Sequence, residues 1–244
     1  MPVLYLHGFA SSARSSKAAF FARKFGEHGI ELRTPDFNEP DFSTLTVTRM
    51  IDQVGAAMAA LTDGDVVLIG SSLGAIVAIQ CALRWPQRVQ RLVLLAPALE
   101  FNRERLRGLG DVDAWERDNR LEVFHYAYGR IMSIRYDIVR DAGRYDCINV
   151  ELPQPVQIFQ GRRDTAVNPE SVERWAGLRP GVELHMLDDD HQLMGSLDYI
   201  WREMTRFLAT EIEPRKNTEE HRPQKTTEKH TPQKNTEKHR KNSL

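Results

Sequence analysis

Gly70-Ser71-Ser72-Leu73-Gly74 fits the pattern G-x-S-x-G. The pentapeptide ends one apolar run, DVVLIG over residues 65–70, and opens another, LGAIVAIQCAL. A buried strand, a tight turn and a helix in that order are what a nucleophilic serine requires, because the turn lifts its hydroxyl above the strand ends. Such a turn forces an unfavourable backbone conformation on the serine. Small residues two positions to either side, Gly70 and Gly74, let neighbouring backbone approach, and Ser71 completes the turn. The helix N-terminus beneath adds a partial positive charge. Ser72 is therefore the candidate nucleophile.

A serine hydroxyl is a poor nucleophile at neutral pH and needs a base. Before residue 213 the chain has His7, His28, His125, His185 and His191. His191 lies in DDDHQLMG, after the strand-like VELHML and before the last helical run. In a parallel sheet that loop shares an edge with the serine turn. His185 falls within the strand and would point into a core or a helix layer. His28 falls at a helix end, where a cation suits the dipole. His191 is the expected base. Its partner should be a carboxylate in another loop at the same edge, and Asp164 in VQIFQGRRDTAVNP follows a buried strand. An aspartate there would hold the imidazole tautomer and stabilise the imidazolium. Asp188, Asp189 and Asp190 are adjacent to His191 in sequence and poorly placed to reach its far nitrogen. The competing role for Asp164 is to cap a helix beginning near Asn168-Pro169. Backbone N–H donors for the developing oxyanion are expected from Phe9 and Leu73. Phe9 ends Leu6-His7-Gly8-Phe9, where Gly8 permits a turn and His7 is read as a brace for the loop.

The elements that must carry these residues alternate. Strands are expected over residues 3–6, 31–34, 65–70, 91–96, 156–160 and 183–187, and helices over 16–28, 45–61, 73–85 and 193–209. The buried strands are unbroken apolar runs, the mark of a parallel sheet covered by helices on both faces. The fold class is α/β, a mostly parallel sheet with helices on both faces. Residues 100–149 interrupt the alternation. Val123, Ala127, Ile131, Ile134 and Ile138 form a stripe at helical spacing, so this insertion is expected to be a helical lid. Arg103, Arg105 and Arg107 within it could pair with a carboxylate-bearing acyl group.

Composition excludes other classes. The 244 residues are 41% hydrophobic and 27% charged with a net charge of −1, which points neither to nucleic acid nor to an anionic membrane surface. No apolar run approaches the ~20 residues of a membrane helix. The N-terminus shows no signal peptide, and two cysteines make no disulfide framework, so a cytoplasmic setting is expected. Residues 1–212 form the expected domain. Residues 213–244 carry nine Lys/Arg against five Asp/Glu and almost no apolar side chains. They repeat every nine residues as KNTEEHRPQ, KTTEKHTPQ and KNTEKHRKN. That stretch is expected to be a disordered basic tail, with His221, His230 and His239 solvated rather than holding a metal.

Together HGF at 7–9, GSSLG at 70–74, GRRD at 161–164 and DDDH at 188–191 resemble the α/β-hydrolase superfamily, and most closely the small YqiA-like esterases. The resemblance covers residues 1 to about 210. It implies a serine hydrolase that cleaves carboxylic esters or thioesters of small or medium acyl groups through an acyl-enzyme on Ser72. It implies no metal and no cofactor. The sheet would be a compact one, lacking the antiparallel strands that usually precede the HG strand. An acyl transferase on the same triad and a non-catalytic binding module on the same scaffold are the alternatives.

Overall fold

The computed structural model describes residues 1–61 and 64–212. The expected tail lies outside the described residues. Six strands form one wholly parallel sheet: β1 (Val3–Leu6), β2 (Leu32–Arg33), β3 (Val66–Ser71), β4 (Val89–Leu95), β7 (Val156–Gly161) and β8 (Val182–Leu187). Their spatial order is β2-β1-β3-β4-β7-β8. Every residue of β1, β3 and β7 is buried, because alternate side chains enter different cores. Leu4, Leu6, Leu68, Leu94 and Ile158 pack on the face covered by α2 (Val47–Ala59), α3 (Leu73–Arg84) and α6 (Pro169–Gly177). Val3, Tyr5, Val67, Ile69, Val93 and Phe159 pack on the other face, against α1 (Ser16–Glu27) and α7 (Leu197–Ile212). Each large apolar side chain buried this way contributes about 1.5–3 kcal/mol. The demand for two apolar faces is what removed polar alternation from the sequence.

The helices begin where side-chain acceptors stand. Ser15 caps α1 through the Ala18 N–H, Thr46 caps α2 through the Arg49 N–H, and Asn168 caps α6 through the Glu170 N–H with Pro169 at the first turn. Element ends differ from expectation by a few residues. The strand expected over 31–34 is only Leu32–Arg33, and the last helix is preceded by a 3-10 turn at Met194–Ser196. Among the described residues no helix is long and apolar enough to cross a membrane.

The insertion between β4 and β7 is not the all-helical lid expected. It contains two short helices, α4 (Val112–Asp118) and α5 (Asp137–Ala142), and between them an antiparallel hairpin, β5 (Leu121–His125) and β6 (Arg130–Ile134). Of the stripe, Val123, Ile134 and Ile138 are buried, but Ala127 and Ile131 are exposed. Two competing signals decide the outcome. Val123 and His125 are buried while Phe124 between them is 47% exposed, which is a period of two. Gly129 at φ +62° closes the connecting turn.

Candidate active site

β1 and β2 run to one side of the sheet and β3 returns on the other side of β1. The order therefore reverses between β1 and β3, and a crevice at the C-terminal strand ends lies at such a reversal. The loops after β1, β3, β7 and β8 meet there.

Ser72 follows β3 at φ +53°, ψ −117°, a strained conformation for a residue with a Cβ. Three backbone bonds hold it. Its N–H donates to Leu95 O at 2.9 Å, and its C=O accepts from Ala75 at 2.9 Å and Ala98 at 3.2 Å. Ser72 occupies the N-cap position of α3 but makes no side-chain cap. Its Oγ lies 3.1 Å from His191 Nε2, so the strain turns the hydroxyl from the helix to the imidazole. The turn also requires bare backbone. A Cβ on Gly74 would stand 2.1 Å from Leu6 O, and one on Gly70 2.6 Å from Gly74 O. Ser71 is buried and faces the hydroxyl of Tyr5, whose pKa burial pushes up to about 12.

His191 Nδ1 lies 2.8 Å from Asp164 Oδ2. Gln160 Nε2 donates to the same oxygen at 2.9 Å, and the Ala166 and Val167 N–H groups donate to Oδ1 at 2.8 Å each. Burial raises the carboxyl's pKa, but the His191 ring, the Val167 N–H and the Gln160 amide together hold it below the ordinary carboxylate range. Asp164 is thus an ionised acceptor, and His191 carries its proton on Nδ1 with Nε2 free to accept from Ser72. The helix-capping role belongs to Asn168. The neighbouring aspartates are engaged elsewhere: Asp188 with Arg163, Asp189 with the Ser196 hydroxyl and Asp190 with the Gln192 N–H. His185 bonds Glu183 and Tyr199, and His28 ends α1.

The amides of Phe9 and Leu73 have no hydrogen-bond acceptor among the described residues. His7 steadies the first of them. Its Nε2 accepts from the Phe37 N–H at 3.0 Å, which leaves the proton on Nδ1, and Nδ1 donates to Gly8 O at 2.9 Å. Gly8 C=O and Phe9 N–H belong to one peptide plane, so the bond orients both. A Cβ on Gly8 would lie 3.1 Å from both Ser71 O and Ser72 Cβ. Gly8→Ala should therefore displace the serine by a few tenths of an ångström. A roughly tenfold lower kcat is expected, with the melting temperature little changed, and steady-state kinetics beside thermal melts check both.

Two contributors escaped sequence reasoning. Gln160 is fully buried within β7, and only the tertiary structure shows that it reaches Asp164. Lys17, in the first turn of α1, is buried within electrostatic reach of Asp164, Asp190 and Asp189. Burial outweighs those carboxylates and pushes its pKa down to about 8, from 10.5. At pH 7 both folded and unfolded chains carry the charge, and the fold bears the desolvation cost. As pH rises from 8 towards 10.5 the folded chain loses the proton first and stability rises. Lys17→Met should accordingly stabilise the fold at pH 7 by an amount on the order of 1–3 kcal/mol. The advantage should vanish by about pH 10.5, as urea unfolding at several pH values would register.

Arg103, Arg105 and Arg107, which could pair with a substrate carboxylate, each have a carboxylate partner within the insertion. Arg103 meets Asp113, Glu116 and the Tyr136 hydroxyl, Arg105 meets Glu100 and Arg107 meets Glu104. Among the described residues no cluster of His, Cys, Asp and Glu could hold a metal ion.

Residues 2–209 match the model of an uncharacterised protein family, UPF0227. The chain is 22% identical over 180 residues to the mitochondrial palmitoyl-protein thioesterase ABHD10 of Bos taurus, a match covering 68% of this chain and 57% of that protein. The chain thus spans little more than half of that relative's length. The solved structure of alpha/beta hydrolase domain-containing protein 10 from mouse superposes with a TM-score of 0.71 at 18% identity, over 86% of this chain and 90% of that one. Est1E from Butyrivibrio proteoclasticus, solved with ferulic acid bound, gives 0.73 at 19% identity over 87% and 90%. These likenesses establish the α/β-hydrolase fold.

Proposed function

The chain belongs to UPF0227, an uncharacterised protein family with the α/β-hydrolase fold, and from that premise we propose that it is a serine hydrolase cleaving carboxylic esters or thioesters. The observation that carries the reading is the unbroken series from Ser72 Oγ to His191 Nε2 at 3.1 Å and from His191 Nδ1 to Asp164 Oδ2 at 2.8 Å. A binding module has no use for an imidazole nitrogen that accepts from the hydroxyl of a strained serine.

In the proposed reaction Ser72 Oγ attacks the acyl carbonyl while His191 Nε2 takes its proton. Asp164 stabilises the imidazolium without accepting the proton. The tetrahedral oxyanion rests on the Phe9 and Leu73 amides and on the positive end of α3. Collapse expels the alcohol or thiol, which leaves with the proton from His191. Water then attacks the acyl-enzyme with His191 again as base, releasing the acid and Ser72. The residues need no metal for any of these steps. The bovine relative is a palmitoyl-protein thioesterase, and Est1E binds a carboxylic acid, the kind of product such a site releases.

The test is hydrolysis of p-nitrophenyl esters from acetate to laurate, with acyl-thioesters in parallel and a fluorophosphonate as covalent probe. Turnover with labelling confined to Ser72 is expected. A folded protein that neither turns over nor is labelled overturns the reading.

A further inference from the structure

The loop that follows Phe9 is in a conformation it would not hold alone. Ala10 has φ +50°, which costs a residue with a Cβ on the order of 1–2 kcal/mol. The two carbonyls that follow Phe9 are anchored from outside the loop. Ala10 O accepts the Tyr126 N–H at 3.0 Å. Ser11 O accepts Asn38 Nδ2 at 2.8 Å, and Asn38 Oδ1 faces His125 Nε2 at 3.1 Å. The Ser11 carbonyl sets which way the Asn38 amide points, since a flipped amide would oppose oxygen to oxygen. His125 therefore donates from Nε2. Its Nδ1 is buried without a partner among the described residues, so the ring is neutral, and the burial that strips it of charge also pushes its pKa down.

The same histidine is wedged in place. Its ring stacks on Tyr128 at 4.3 Å and takes Phe42 edge-on at 4.7 Å. Phe42 in turn packs on the ring of Phe9 at 5.6 Å. The end of the β5–β6 hairpin thus reaches Phe9 by two routes, one through backbone carbonyls and one through aromatic rings. His125 and Asn38 are 0% and 5% exposed, more deeply buried than a side chain on a freely swinging flap would be.

We propose that the hairpin is a fixed brace for the oxyanion loop, with His125 and Asn38 as positioning residues that keep the Phe9 N–H aimed at the reacting carbonyl. The proposal rests on the oxyanion role given to Phe9 above. Both are positioning residues: Asn38 acts through the Ser11 carbonyl and His125 through Asn38 and Phe42, while upstream His7 holds Gly8. The insertion is then part of the catalytic framework and not only a cover over it.

The test compares wild type, Asn38→Ala, His125→Leu and His125→Gln, the last placing an amide N–H near where the imidazole Nε2–H stood. Measured are kcat, KM, melting temperature and the affinity of an aryl boronic acid, which forms a tetrahedral adduct on the serine and so reports on the oxyanion donors. Asn38→Ala and His125→Leu should lower kcat about 10- to 100-fold. KM should stay within about twofold, the boronic acid should weaken by the same factor as kcat, and His125→Gln should recover most of the loss. Undiminished kcat, or a loss of kcat with boronic acid affinity intact, overturns the brace. Should the larger changes prevent folding, Asn38→Ser, too short to span Ser11 and His125, makes the same comparison. A wild type without turnover or Ser72 labelling overturns the function itself; active wild type with equally active variants overturns only the brace.

Discussion

Replacing Ser72 by alanine is expected to lower kcat about a millionfold, to what the oxyanion donors and substrate binding supply by themselves. The size of the effect follows from the geometry. Among the described residues His191 Nε2 faces no nucleophile but Ser72 Oγ, and the buried Asp164 behind it has no proton to relay. Removing one oxygen therefore disables all three groups together, so the same loss is expected from His191→Ala and from the double variant. The fold should not register the change. Ser72 is held by its backbone bonds to Leu95, Ala75 and Ala98, its hydroxyl caps nothing, and alanine carries the same Cβ at the same φ. Melting temperatures within a degree or two of wild type should accompany the kinetic loss. Single-turnover hydrolysis of a p-nitrophenyl ester, with fluorophosphonate labelling of both proteins, measures it. A variant retaining more than about a hundredth of wild-type kcat would mean that the chemistry does not pass through this serine.

The juxtaposition of Ser72, His191 and Asp164 was legible because each residue belongs to a loop directly after a strand of the parallel sheet. In a parallel sheet all such loops lie at one edge, so recognising the strands sufficed to bring three residues separated by up to 119 positions together. The glycines were legible for a related reason, since Gly70 and Gly74 flank a turn that a Cβ would block. Gln160, Lys17, Asn38 and His125 were not legible. Each is a polar residue inside or beside an apolar element, and its partner is set by packing alone. Gln160 reaches Asp164 only because β7 ends where its loop turns back, and Asn38 reaches Ser11 and His125 only once the hairpin has docked.

The insertion shows the converse error. Val123, Ala127, Ile131, Ile134 and Ile138 satisfy helical spacing as well as any core helix in the chain. Periodicity reports which residues share a face only if the chain is continuous in one element, and Gly129 ends one strand and starts another between them. The β-branched and aromatic residues of Val123-Phe124 and Ile131 favoured strands, a local preference that the spacing pattern masked. The correction matters for function, because a hairpin offers its end to the oxyanion loop, where Tyr126 meets Ala10.

Asp164→Asn should lower kcat by roughly 10⁴, and the reason can be followed bond by bond. Oδ1 of Asp164 accepts the Ala166 and Val167 N–H groups, so an asparagine must keep its oxygen on that side. Its NH2 group then replaces Oδ2 and points donors at two groups that are themselves donors, Gln160 Nε2 and His191 Nδ1–H. The imidazole can relieve its clash by moving the proton to Nε2. That tautomer presents an N–H to Ser72 and cannot take the serine proton. Gln160 cannot relieve its own by turning over the amide, because its Nε2 also donates to Gly161 O at 3.1 Å and a flipped oxygen would face that carbonyl, so one buried donor is left without an acceptor. The mutation should thus cost only about 1–3 kcal/mol in stability, far too little to account for the kinetic loss by unfolding. Acid stability should register it as well. The carboxyl of Asp164 is held below its unfolded pKa of 3.8, so it stabilises the fold above that pH and the contribution is lost as pH falls through the folded value. Asparagine has no such dependence, and the stability gap between the two proteins should narrow as pH falls through the folded value. A variant within tenfold of wild-type kcat, or a gap unchanged into acid, would mean that Asp164 does not govern the imidazole.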